Sequence, residues 1–549
     1  NLLILIILFF LALTLAQAPA IATDALVYHL AVPKAYLNHH GIISLPDNIY
    51  SFFPMQFEMV YLFCLGIGGE TAAKLAGLGM AFLLLGAMSI FYKQYLAPRY
   101  SSFVPVLYFA TPTFFLVSSA AYVDVPLAGF IFLTYYAWDR WRTTDQNPWF
   151  ILMILFAGSA VATKLTAVIV LPLIFLGIAF RGRDRGDTLW TLQRLLVFFL
   201  AAGLFIFPWW ARNYQYTGNP FAPFFMQFFG GESGMNWDTH RSLMQMQYYK
   251  SFGMGSGLKE FFMLPAHLTF FSEKNSLRFD GAIGLLYFLL IPAWFGLGGG
   301  AANTTANTPV PKTQTNAGAE LIAKPWGPQQ RIYVLTFIFF VMMVFWFIQT
   351  QYIRLLTPAF TFLVLISVYG FERMVSTKPL AVSPWRGLIF FVVVGALLFN
   401  LNEIYKDWKS KDPLKYLMRQ ESREQYLARH IPSYPLFQTI NQSLGKDSKV
   451  LFVFMRNLGY LSDRDFISDS FFEAHTLQTI LQRDASIEGI ARQLRQRGIT
   501  HILFDNQYMF GQNTAFSPDH REALKNFFNA KTKLTAEKNG YYLYQFMLD

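Results

Sequence analysis

The sequence predicts a polytopic α-helical membrane protein that ends in a small α/β domain, and three observations lead there. Of 549 residues, 54% are hydrophobic and only 14% charged, where an ordinary soluble domain carries roughly a quarter charged. Long apolar runs recur through the first 400 residues, each near the length that crosses a ~30 Å hydrocarbon core. The basic residues between those runs fall in alternate loops, which is a topology signal. The 58 Phe, 28 Tyr and 12 Trp suit a bilayer and its two interfaces. A disordered chain, a collagen and a soluble multidomain enzyme are excluded. The net charge of +11 reads as loop charge, with no nucleic acid implied. The single Cys64 excludes intramolecular disulfides and any Cys-based zinc or iron–sulfur site.

Taken in order, the apolar runs place about eleven membrane helices near 1–19, 71–91, 103–120, 125–138, 149–163, 165–180, 195–210, 282–298, 332–348, 355–371 and 387–401. Lys93 and Arg99, then Arg140 and Arg142, then Arg181, Arg183, Arg185 and Arg194 occupy one set of loops. Lys312, Lys324, Arg331, Arg373, Lys378 and Arg386 continue the same side, which the positive-inside rule assigns to the cytoplasm. Asp24, Asp47, Glu58, Asp124, Asp238 and Asp280 fall on the opposite side. The expected layout is therefore a transmembrane domain over 1–401, with external loops 20–70 and 211–281 and a low-complexity cytoplasmic linker 299–328. An extracytoplasmic domain over 402–549 follows. Ala16-Gln17-Ala18 imitates a signal-peptidase site, but the parity of the crossings expects the first helix to be retained.

The tail changes character. Strands are expected at 448–455, 464–468 and 499–505, helices near 474–483, 486–497 and 518–530, and a hairpin ending in YYLYQFM. Strands alternating with helices predict an α/β layer structure. The strands 448–455 and 499–505 should be neighbours, because a helical crossover separates them.

Ionisable residues at membrane depth are costly and mark function. Asp24 follows the first helix in TDALVYHLAVPKAYLNHHGI, Asp124 sits in the tight turn of AAYVDVPLAGF, and Lys164 in that of VATKLTAV. Irregular backbone at that depth is tolerated only where it lines a cavity, so a recessed cavity with two carboxylates and an ammonium is expected. Each residue has a plainer reading: Asp124 as the start of a helix before Pro126, Lys164 as a snorkelling cation, Asp24 as a solvated loop residue. No HExxH, Walker A or Ser-centred elbow is present. Gly253-x-Gly255-x-Gly257 lacks the strand and helix context of a dinucleotide site.

Five motifs in order, TDALVYHLAVPKAYLNHHGI, FFPMQFEMVYLF, AYVDVPLAGFIFL, FPWWARNYQYTGNPFAPFF and QTQYIRLLTPAF, resemble the bacterial type of the GT-C superfamily of integral-membrane glycosyltransferases. That superfamily includes the protein O-mannosyltransferases and the lipid A aminoarabinose transferases. The resemblance covers most of residues 1–400. It implies an inverting transfer of a sugar from a polyprenyl-phosphate-linked donor to a lipid, glycan or protein acceptor, at the outer face of the cytoplasmic (inner) membrane. Asp24 would be the base on the attacking hydroxyl, and Asp124 would orient the acceptor, a cation or the first loop. Lys164, Arg212 and Arg354 would bind the donor phosphate. Glu58, His29, Tyr28 and Asn213 are further candidates, with His29 read as a hydrogen-bond partner. No cofactor is required; Asp24 and Asp124 would permit a divalent cation without demanding one. Two other classes compete: a transporter or flippase, which would show inverted repeats and helices broken at mid-depth, and a non-catalytic membrane subunit of a larger complex.

Overall fold

The computed structural model describes residues 1–294, 326–376 and 385–547. Among the described residues, six helices are long and apolar enough to cross a membrane: Gln56–Tyr95, Leu165–Arg185, Thr188–Thr217, Pro328–Gln349, Ile353–Ser376 and Trp385–Lys411. A bent pair, Pro112–Ser119 with Asp124–Thr144, makes up to seven, and the shorter apolar helices Leu2–Gln17 and Asn147–Thr163 accompany them. The expected number of about eleven is therefore not what length and composition establish among the described residues. The run 103–120 breaks into Phe103–Phe109 and Pro112–Ser119. The run at 282–298 forms only the short helices Leu286–Leu289 and Ile291–Trp294, and its end lies outside the described residues, as does most of the linker 299–328.

Local chemistry explains the main boundaries. The 188–217 helix starts where Asp187 accepts a hydrogen bond from Trp190 N at 2.9 Å and stops at Gly218, whose φ of 74° is cheap only for glycine. The 56–95 helix includes residues expected to be loop. It kinks at Gly68-Gly69, where Gly69 has φ 66°. Burial sorts the helices. Thr357–Ser376 is enclosed along nearly all its length, whereas Thr188–Thr217 leaves Leu196, Leu200, Leu204 and Phe207 exposed, the pattern of a helix facing lipid. The chain is an integral membrane protein.

The last long helix continues to Lys411, through the first residues assigned to the tail. Beyond it lies one five-stranded sheet in the order β2-β1-β3-β5-β4. The strands are β1 (Lys449–Val453), β2 (Asp465–Ser468), β3 (His501–Asp505), β4 (Thr532–Lys538) and β5 (Tyr541–Phe546). β1 pairs parallel with both β2 and β3, Leu451 facing Ile502, as the helical crossover requires. One sheet face packs on the helices His475–Arg483, Ile487–Gln496 and Pro518–Lys531. The other contributes Phe452, Leu503 and Leu543 to a cluster shared with Ala25, Leu26, Leu30, Phe57 and Val123. The tail thus rests on the bundle end that carries Asp24.

Candidate active site

Four charged side chains meet at breaks between helices. Asp24 precedes a single π-turn, Ala25–His29. Asp124 opens the Asp124–Thr144 helix after a 105° bend. Lys164 ends the Asn147–Thr163 helix in extended conformation, and Arg354 lies in the 3₁₀ turn Ile353–Leu356. Helix breaks free backbone groups and turn side chains inward, which lipid tolerates only when protein surrounds them.

Arg354 Nη2 lies 2.6 Å from Asp24 Oδ2, and the Tyr28 hydroxyl donates to the same oxygen at 3.3 Å. Lys164 Nζ donates to Asp124 Oδ1 at 2.8 Å. The Arg354 guanidinium stands over the rings of Tyr122 and Tyr352, 5.1 Å from each. Tyr122 comes two residues before Asp124, so one aromatic joins the two ion pairs. A third pair lies against them: His29 Nδ1 and Glu58 Oε1 are 2.8 Å apart and both residues are buried. The His29 ring lies 4.0 Å from Tyr28 and 5.7 Å from Tyr122. Burial opposes ionisation of Asp24, but Arg354, with His29 and Lys164 farther off, outweighs it and holds the carboxyl below the ordinary carboxylate value.

Polar capacity remains unused here. Asp124 Oδ2, His29 Nε2, Glu58 Oε2 and Arg354 Nε are buried without a hydrogen-bond partner. Buried polar atoms are costly to leave unpaired, so this concentration marks a place built to receive a polar molecule.

The structure brings Asp24, Asp124, Lys164, Arg354, His29, Glu58 and Tyr28 together, but not Arg212 or Asn213. Arg212 donates to Asn213 Oδ1, to the Phe53 carbonyl at 3.2 Å and to the Tyr36 hydroxyl at 3.5 Å. Asn213 donates to the carbonyls of Phe52 and Ala222 at 2.8 and 3.0 Å. These two residues clasp the first loop to the end of the Thr188–Thr217 helix, and their donors are engaged in doing so. Tyr122 and Tyr352 were not among the sequence candidates. The available signal was an aromatic two positions before an ionisable residue, in AYVDVP and QYIRLL.

A divalent ion does not fit well. Each carboxylate is already held by a cation, and no group of three or more His, Cys, Asp or Glu is arranged to hold a metal among the described residues.

No family model matches the sequence, and no curated protein matches it. Solved structures do share the fold. ArnT from Cupriavidus metallidurans bound to undecaprenyl phosphate has a TM-score of 0.57 at 15% identity, over 99% of this chain and 97% of that one. The same protein in the apo state gives 0.56 at 14% identity, over 99% and 97%. The oligosaccharyltransferase of Archaeoglobus fulgidus in complex with Zn and sulfate gives 0.52 at 11% identity, over 93% and 68%. At these identities the likeness is one of fold: the chain has the GT-C fold, with a small sheet domain at its C-terminus.

Proposed function

We propose that this protein is an inverting glycosyltransferase that moves a sugar from a polyprenyl-phosphate-linked donor to a lipid, glycan or protein acceptor. The observation that carries the reading is the Asp24–Arg354 pair, 2.6 Å apart, beside Asp124–Lys164. A carboxylate suited to act as base and two cations suited to a phosphate leaving group thus lie side by side, which supports the reading. The likeness of fold to a protein crystallised with undecaprenyl phosphate supports the same reading.

Asp24 accepts the proton of the acceptor hydroxyl as its oxygen bonds to the anomeric carbon. The bond from that carbon to the phosphate oxygen breaks, and the lipid phosphate departs with both bonding electrons toward Arg354 and Lys164. A guanidinium is suited to grip phosphate bidentately. One displacement inverts the anomeric centre. Asp124 holds Lys164 in place and offers Oδ2 to the acceptor or the sugar. Transfer occurs at the outer face of the cytoplasmic membrane under the alternating loop charges, with residues 402–549 as an extracytoplasmic domain. No metal is required.

The test is mass spectrometry of lipid co-purified with the protein, followed by incubation with a polyprenyl-phosphate sugar and release of the free lipid phosphate. Co-purified glycosylated polyprenyl phosphate and lipid-phosphate release that depends on Asp24 are expected. A protein that neither retains nor turns over any such donor would overturn the reading.

A further inference from the structure

We infer that the bundle end away from Asp24 carries a site for an anionic phosphate headgroup, built around Arg142. The Asp124–Thr144 helix runs from the candidate active site to this opposite end, where its last turn meets the helices Val170–Arg185 and Thr188–Thr217. Arg142 is only 5% exposed and Arg181 3%. Both are boxed by indoles: Arg142 lies 3.4 Å from the Trp326 ring centroid, and Arg181 4.9 Å from that of Trp141. Trp141 in turn stacks on Trp190 at 5.7 Å.

Two of the carboxylates nearby are already taken, and Asp184 acts on Arg142 only through its charge, without a hydrogen bond. Asp139, one turn before Arg142, receives Arg331 Nε on both oxygens at 3.1 Å. Asp145 receives Arg181 Nη2 and Arg185 Nη1. Arg142 is left without a carboxylate partner among the described residues. Its Nε and Nη2, the side-on edge that meets an oxyanion through two parallel bonds, are buried and unpartnered. Arg181 Nε and Trp138 Nε1 are unpartnered as well. The Trp138 indole nitrogen packs directly against Gly177 of the Val170–Arg185 helix, with no room there for a Cβ.

Asp139 and Asp184 act on Arg142 only through their charges, and a buried guanidinium whose N–H groups meet no acceptor is expensive. The Nε and Nη2 edge of Arg142, without acceptors, calls for a ligand rich in acceptor oxygens and negative charge, which is a phosphate. The guanidinium face is covered by Trp326 and its edge is closed to water, so the half-buried Trp326 is the element that must give for the headgroup to enter. A phospholipid is favoured over a free phosphate. At the same end Phe180, Leu189, Leu192 and Leu196 are 55 to 67% exposed, a path for acyl chains beside Arg181 and Arg194. Basic pockets between membrane helices receive anionic headgroups in this way.

The test uses the full chain, delipidated in detergent and examined by native mass spectrometry with phosphatidylglycerol, phosphatidylethanolamine or inorganic phosphate. Phosphatidylglycerol should bind about tenfold more tightly than phosphatidylethanolamine. R142Q should lose about tenfold of that affinity, while the exposed Lys93→Gln at the same end leaves it unchanged. If R142Q does not fold, the wild-type preference between the two lipids still decides. Binding of inorganic phosphate that competes with phosphatidylglycerol at equal affinity would overturn the lipid assignment. Equal binding of the two lipids, or R142Q indistinguishable from wild type, would overturn the site.

Discussion

Replacing Asp24 by Asn should separate turnover from donor binding in opposite directions. In the free protein the site is neutral: Arg354 faces Asp24 and Lys164 faces Asp124. A donor phosphodiester adds one negative charge, so the bound site is anionic, and Asp24 competes with the phosphate for Arg354. Asp24→Asn preserves shape, removes that competitor and leaves the bound site neutral. Two unit charges roughly 6 Å apart at an effective dielectric of about 20 interact by about 3 kcal/mol. The Asp24 side chain is 24% exposed, so solvent screens part of this, and a gain in donor affinity of about tenfold (~1.4 kcal/mol) is expected. Turnover should fall by ~10²–10⁴-fold, because the proton acceptor is gone. Arg354→Ala should instead weaken donor binding by about 10–100-fold, the usual worth of a hydrogen bond to a charged group. The assay is polyprenyl-phosphate binding in nanodiscs beside single-turnover transfer. Wild-type turnover in Asp24→Asn would end the assignment of the base. Lost donor binding in that variant would show that Asp24 holds the donor and does not compete with it.

Three further outcomes follow from contacts outside the site. Lys34 donates to the carbonyls of Tyr460 and Ser462 at 2.9 and 3.0 Å and to Asp463 at 2.7 Å, tying the first loop to the tail. Lys34→Met should cost about 1–2 kcal/mol of local stability, and unchanged hydrogen-exchange protection over 456–470 would refute the tie. Burial raises the Asp469 carboxyl from 3.8 to about 6 and that of Glu473 from 4.5 to about 7. Folded values above the unfolded ones mean stability present in acid and lost as pH rises through about 4 to 7. Protection around Ser470 and Thr476 should therefore fall across that window and flatten in Asp469→Asn; a rise with pH would refute it. Finally, a cysteine at the exposed Lys533 should react with an impermeant maleimide added outside intact cells, and one at the exposed Asn147 should not. The reverse pattern would invert the topology.

Where periodicity and turn chemistry decide the backbone, the sequence was legible. The tail shows this: β1, β2 and β3 lie where short apolar runs alternate with amphipathic helices, and β1 lies parallel beside β3. The insertion of β5 between β3 and β4 was not legible, because a hairpin can add to a sheet edge by either strand. The bundle divides in the same way. Asp24 and Asp124 stood out because a charge beside an apolar run is conspicuous whatever it contacts. The pairing of Asp24 with Arg354 depends on two helix breaks 330 residues apart meeting in space, and no local pattern encodes that. Arg212 and Arg354 show the limit most clearly. Each is an arginine at the end of an apolar run, inside a motif with an adjacent aromatic. Arg212 donates to the Phe53 carbonyl and the Tyr36 hydroxyl of the first loop and to Asn213, and is used up in holding that loop. Arg354 points at a carboxylate and keeps Nε unpartnered, and that spare donor is what suits it to the phosphate role proposed for it.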